Sequence, residues 1–166
     1  MKRLAIAGIL LLLQACGTHP YVPMEYELRA GLIAPFDATA TTFVNAQPAT
    51  EPSIVYSYSG SKLAASLHDI TELMVQQAAK ELKKNARAKE GAAKTVDLKV
   101  KSLVSTYGIM SWKSKIVYEV KLGSGETFEK TVTHGSGVLL QDLNGCIAEG
   151  VMELFKDSRV TAYLGA

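Results

Sequence analysis

The chain has 166 residues, 18 Lys and Arg against 16 Asp and Glu, 48% hydrophobic residues and two cysteines. A formal charge of +2 without a concentrated basic stripe argues against nucleic acid as a partner, because phosphate binding needs a cationic surplus. The length admits one domain with a sizeable core, and two cysteines are too few for an internal disulfide framework.

Lys2 and Arg3 precede an apolar run over residues 4–13, which ends in Leu13-Gln14-Ala15-Cys16-Gly17. A basic head, a short apolar core and a small residue before the cut predict a secretory signal peptide over residues 1–15, too short for a stable membrane span. Leucine three positions before a cysteine, with alanine directly before it, resembles the bacterial lipobox. That resemblance implies cleavage after Ala15 and a diacylglycerol on the Cys16 sulfur, usually with a further acyl chain on its amine. Two or three chains on one residue anchor stably where one holds only marginally. The resemblance also bears on destination: aspartate after the lipidated cysteine favours inner-membrane retention, and here that position is Gly17. The expectation is therefore the outer membrane, with the domain on its periplasmic face. Losing Lys2 and Arg3 leaves the mature chain with no net charge, and Cys146 with no partner in its own chain.

Residues 16–24 hold two prolines and no periodicity, and read as a lipidated tether. One domain is expected over residues 25–166. A loose alternation over 25–34 predicts a first strand ended by Pro35. A threonine-rich stretch over 38–45 reads as an edge strand, and 47–52 as a polar connection. Ile54, Val55, Tyr56 and Tyr58 mark a strand over 53–59, closed by Gly60. Leu63, Leu67, Ile70, Met74, Ala78 and Leu82 recur at helical spacing, so one long helix is expected. Ser61 is its first candidate cap, Ser66 and Asp69 are alternatives, and Gly91 is the stop.

Beyond the helix the period changes to two. Val96, Leu98 and Val100 alternate with charged residues, and the phase slips at Leu103 as a bulge would make it. The alternation from Trp112 to Leu122 is the clearest strand in the chain, and Gly123-Ser124-Gly125 turns it into an antiparallel return with Phe128 and Val132 inward. A last helix is expected over 139–156 with Leu143, Ile147, Val151 and Leu154 on its buried face. Ser158 can cap a short closing turn in which Val160, Tyr163 and Leu164 pack back.

This order predicts an α+β domain: a mostly antiparallel sheet of four or five strands with the long helix and the C-terminal helix on one face. The Ile54–Ser59 strand, the long helix, the Val96–Val100 strand, the hairpin at Gly123 and Gly125, and the Asp157-Ser158 break give a pattern that resembles small outer-membrane lipoproteins of the YajG type. It is more distantly similar to auxiliary lipoproteins of lipid and lipopolysaccharide transport. The resemblance implies a non-catalytic envelope lipoprotein and supplies no catalytic residues.

Candidate sites are sparse. Lys80, Lys83, Lys84 and Arg87 gather near the end of the long helix. They form a candidate surface for an anionic partner such as lipopolysaccharide, acidic phospholipid or peptidoglycan, or a solvated face that complements the helix dipole. Lys99, Lys101, Lys113, Lys115 and Lys121 fall on the outward face of adjacent strands, where lysines discourage edge aggregation. His68 and His134 have no cysteine or carboxylate cluster at ligand spacing beside either, so no metal and no cofactor is expected. Cys146 reads as a small packed side chain beside Ile147. Tyr56, Tyr58, Tyr107, Trp112 and Tyr118 raise the alternative of a lipid groove. The functional expectation is a protein or glycolipid binder at the outer membrane. A lipid or lipopolysaccharide transport accessory is the alternative, and an envelope hydrolase is the remote one, needing two paired carboxylates or Cys146 beside His134.

Overall fold

The computed structural model describes residues 17–48 and 51–166. The expected signal peptide and Cys16 lie outside the described residues.

The backbone of the fold is a meander of three long strands. β7 (Lys94–Tyr107), β8 (Trp112–Leu122) and β9 (Thr127–Ser136) pair antiparallel in sequence order. Their inward residues are those the alternation marks: Val96, Leu98, Val100, Ile116, Tyr118 and Val120 are fully buried, and Val132 nearly so. The predicted phase slip is a register shift between Val100 and Ser102. The Val100 amide donates to Thr71 Oγ1 at 3.1 Å on the overlying helix.

The helical layer covers one face. α1 (Leu67–Asn85) and α2 (Leu139–Lys156) lie side by side on the sheet, and α3 (Ser158–Gly165) closes the chain. Ser66 caps α1 by accepting from the His68 amide at 3.1 Å. Leu143, Ile147, Val151 and Leu154 are fully buried under α2, and Asp157, rather than Ser158, caps α3 through the Arg159 amide. The other face is wet and laced with charge: Lys101 bridges Glu119 at 3.1 Å and Glu129 at 2.8 Å.

The remaining strands overturn the expected sheet. β1 (Gly17–Pro20), β3 (Thr41–Asn45), β4 (Ser53–Tyr58) and β5 (Ser61–Ala65) join the meander in a mixed seven-stranded sheet. Its path is β1-β5-β4-β7-β8-β9, with β3 also beside β7. β3 and β4 run parallel to β7, and β1 runs parallel to β5. For β3 and β4 the physical reason is α1, which carries the chain back across the sheet face to β7 and so supplies the crossover that parallel pairing requires. A separate parallel pair, β2 (Phe36–Ala38) with β6 (Ala86–Ala88), lies near α3.

Several local expectations change with it. α1 ends at Asn85, directly before β6, and not at Gly91. Residues 61–65 are strand, not helix: Ser59 (φ 47°) and Gly60 (φ 83°) make the tight left-handed turn that joins β4 to β5. Residues 25–34 form no strand. They are an irregular strap whose Leu28 and Ile33 are buried, and whose Tyr26 and Leu28 carbonyls accept from Gln77 Nε2 and Lys84 Nζ of α1, each at 2.8 Å. The expected tether at 16–24 is also displaced from Gly17 onward. Gly17 to Pro20 pair with Ser61 to Ala64, and Tyr21 is buried with its hydroxyl donating to Asn144 Oδ1 at 2.6 Å.

Candidate functional site

The register defines two ends of the sheet. Gly17 pairs with Ser61, Ser61 with Tyr58, and β4 meets β7 at Tyr56 and Ser105. Trp112 pairs with both Tyr107 and Ser136. Gly17, Tyr58, Tyr107, the Gly108-Ile109-Met110-Ser111 loop, Trp112 and Val138 therefore gather at one end. Lys94, Thr41, Leu82 and Lys83 gather at the other. With about 3.3 Å per residue along β7, the two ends stand roughly 40 Å apart.

The basic helix end is at the second of these, and most of its charge is already matched. Lys80 pairs with Glu25 of the strap at 2.5 Å, and Arg87 with Asp37 at 2.9 Å. Lys84 donates to the Leu28 carbonyl and stands 3.6 Å from the buried Glu81. Hydrogen bonding to Glu25 raises the Lys80 pKa, which holds that lysine charged. Lys83 is exposed and has no ion pair among the described residues. Of the four candidate cations it is the one left to meet an anion, so the surface is narrower than its sequence suggests.

The histidines are engaged structurally. His68 Nδ1 meets the Gln47 carbonyl at 2.8 Å, which ties α1 to the connection after β3. His134 borders a groove of about 570 Å³ lined also by Thr106, Lys113, Ser114 and Glu149. Its Nδ1 lies 2.8 Å from Glu149 Oε2 on α2, a carboxylate that sequence spacing does not place beside it. Its Nε2 faces Gly145 so closely that a Cβ there would come within 2.5 Å. Nδ1 thus faces Glu149 and Nε2 faces Gly145, both on α2. Ser114 and Ser105 donate to the buried Asp142 Oδ2, at 2.5 and 2.8 Å, which fastens the first turn of α2 to the sheet. Cys146 is fully buried, 3.8 Å from the Val132 carbonyl, and burial pushes its thiol pKa up to about 12. Among the described residues no group of three or more His, Cys, Asp and Glu is placed to hold a metal ion.

No protein-family model matches the chain, and no curated protein does. Solved structures similar to it include two bacterial proteins. One is a hypothetical protein from Chlamydia trachomatis, at 5% identity and a TM-score of 0.42, over 77% of this chain and 98% of that one. The other, from Helicobacter pylori, is named as a homologue of neuraminyllactose-binding hemagglutinin. It matches at 7% identity and a TM-score of 0.35, over 85% of this chain and 97% of that one. Likeness at this level carries no functional argument.

The aromatic residues do not line one groove. Tyr118 is fully buried, its hydroxyl donating to the Gly150 carbonyl at 2.8 Å, and burial raises its pKa well above the usual phenol range. Tyr56 is buried in β4. Tyr58, Tyr107 and Trp112 instead form a contiguous row at the Gly17 end, with ring centroids 5.4 and 4.9 Å apart. Beyond that row the β7–β8 loop projects Ile109, 97% exposed, and Met110, 86% exposed. Val138 and Leu140 at the start of α2 add two half-exposed apolar side chains nearby. Sequence reading overlooks Ile109 and Met110. Their signal is an apolar pair inside a hairpin loop, where turn chemistry favours polar residues.

Proposed function

We propose that this protein is a lipid-anchored, non-catalytic envelope lipoprotein, held at the periplasmic face of the outer membrane by acyl chains on Cys16 and acting by binding a protein or glycolipid partner. The observation that carries the reading is the Leu13-Gln14-Ala15-Cys16 pattern behind Lys2, Arg3 and a short apolar run. Two features of the fold are compatible with it. Gly17, the residue after the proposed anchor, already belongs to the sheet, and no helix among the described residues is long and apolar enough to cross a membrane. The partner is expected at the end remote from Gly17, where Lys83 is exposed. With Lys80, Lys84 and Arg87 already matched, no observation at that end favours the transport-accessory reading.

The test is metabolic labelling with a fatty-acid probe followed by membrane fractionation. The native protein is expected to carry the label and sediment with outer membranes, and Cys16→Ser to be unlabelled and unprocessed. A Cys16→Ser product that is still mature and outer-membrane bound would overturn the reading.

A further inference from the structure

The end of the sheet that Gly17 enters has the composition of a bilayer interface. Tyr58, Tyr107 and Trp112 form an aromatic row, and Ile109 and Met110 project beyond it almost wholly exposed. Lys62, Lys113 and Lys115 stand just behind, all exposed. The segments that build this end, residues 17–20, 53–62, 104–115 and 133–140, contain no Asp or Glu. Glu149 of α2, which lines the same groove as Lys113 and Lys115, lies 2.8 Å from His134 Nδ1. Apolar tip, aromatic row, then cations is the order in which side chains meet acyl chains, glycerol level and phosphates.

Exposure alone does not name an occupant. The chain path does: residues 1–16 join the fold at Gly17, and Gly17 lies at this same end, across β5 and β4 from β7. Three strand spacings of about 4.8 Å place it roughly 15 Å sideways from the projecting loop. A cysteine acylated at position 16 would draw this end, and not the far one, onto the bilayer.

We infer that the Ile109-Met110 loop dips into the membrane that holds Cys16, so that the domain is attached at two points and stands with its sheet axis upright. The inference rests on the anchoring reading above. Two attachments on one rigid sheet fix tilt as well as location, which a single acylated residue cannot do. The occupant is a phospholipid interface, with anionic headgroups favoured by Lys62 and Lys113.

Trp112 is the chain's single tryptophan and adjoins the loop, so it reports immersion directly. The mature acylated protein is reconstituted into phosphatidylethanolamine–phosphatidylglycerol vesicles whose upper acyl chains carry bromine. At an interfacial depth of roughly 5–10 Å, Trp112 emission is expected to fall by roughly half relative to unbrominated vesicles. The Ile109→Ser, Met110→Ser double variant should stay vesicle-bound with emission restored, and circular dichroism should show its fold unchanged. Unquenched Trp112 in vesicle-bound native protein overturns the inference, as does equal quenching in the double variant. A photo-crosslinker at Met110 that captures protein in place of lipid overturns it too. Acylation is read separately by mass spectrometry. An unmodified Cys16 refutes the anchor, and if Trp112 is then also unquenched the immersion falls with it; if Trp112 is still quenched the immersion stands alone.

Discussion

α2 carries two buried glycines, Gly145 and Gly150, on which one substitution should act with opposite sign. In a helix interior, glycine to alanine stabilises by about 0.5–1 kcal/mol through backbone entropy. At Gly150 nothing opposes this: an added Cβ would lie 3.4 Å from Met74 Cε, 3.5 Å from Tyr118 Cε1 and 3.7 Å from Ile116 Cγ2, ordinary contacts in a packed core. At Gly145 the same atom falls 2.5 Å from His134 Nε2 and 2.8 Å from Cδ2. The ring has to move, and its Nδ1 is held by Glu149 at 2.8 Å. Overpacking of this kind costs about 1–3 kcal/mol, more than the entropy gain. Gly150→Ala should therefore be stabilised by about 0.5–1 kcal/mol, and Gly145→Ala destabilised by up to about 2 kcal/mol. Urea unfolding reads both, since a slope of about 1–3 kcal/mol per molar turns such differences into resolved midpoint shifts. Adding His134→Ala to Gly145→Ala should recover part of the loss, because the clash has been removed. If the two single variants shift together, or Gly150→Ala is the weaker, the placement of α2 against β8 and β9 is wrong.

Other consequences are equally direct. Asp157 caps α3 and pairs with Arg159 and Lys130, so Asp157→Ala should cost about 1–2 kcal/mol in the same assay. Bonds from Arg159, then Lys130, hold the Asp157 carboxyl well below the usual range. Its contribution is present above the unfolded value of about 3.9 and lost as pH falls through the lower folded value, so the gap between native and Asp157→Asn should narrow from about pH 4 downward. Cys146, with its thiol raised to about 12, should resist disulfide reagents at pH 8 until denaturant is added; fast labelling of the folded protein at Cys146 would contradict its burial. Lys84→Glu sets a second carboxylate beside the buried Glu81 and should lower the melting temperature. Lys83→Glu, on the exposed side of the last turn, should lower it less, since only the favourable placement of a cation at the helix's negative end is lost.

The parts legible in sequence are those where one periodicity runs long enough to exclude the other. Eleven alternating residues in β8 and eighteen helical ones in α2 leave no ambiguity. β5 was hidden because Leu63 sits four residues before Leu67, which fits the helix stripe, and five residues cannot separate the two periods. Its local signal was Ser59-Gly60, a turn that joins strands and does not start helices. β1 left no side-chain pattern at all, since an edge strand of Gly-Thr-His-Pro is held by main-chain pairing to β5. Mixed strand direction was likewise invisible, because alternation reports which face is buried and not which way a neighbour runs. Among the site residues, Lys80, Lys83 and Lys84 lie on the last turns of α1 and Arg87 on β6 just beyond it. Their neutralisation by Glu25 and Asp37 depends on contacts 55 and 50 residues away in sequence.

The parallel pairing of β1 with β5 also determines how the domain responds to pulling. Tension applied at Gly17 along the sheet axis acts parallel to the strand, so the bonds from Gly17 to Pro20 are loaded together in shear instead of opening one after another. Behind them Tyr21 forms a second catch, its amide on the Ala64 carbonyl at 2.7 Å and its hydroxyl on Asn144 at 2.6 Å. Force tolerance is governed by the rate of crossing such a barrier and not by overall stability. A four-residue edge strand can therefore resist a pull on the chain at Gly17 with a mechanical strength out of proportion to its length.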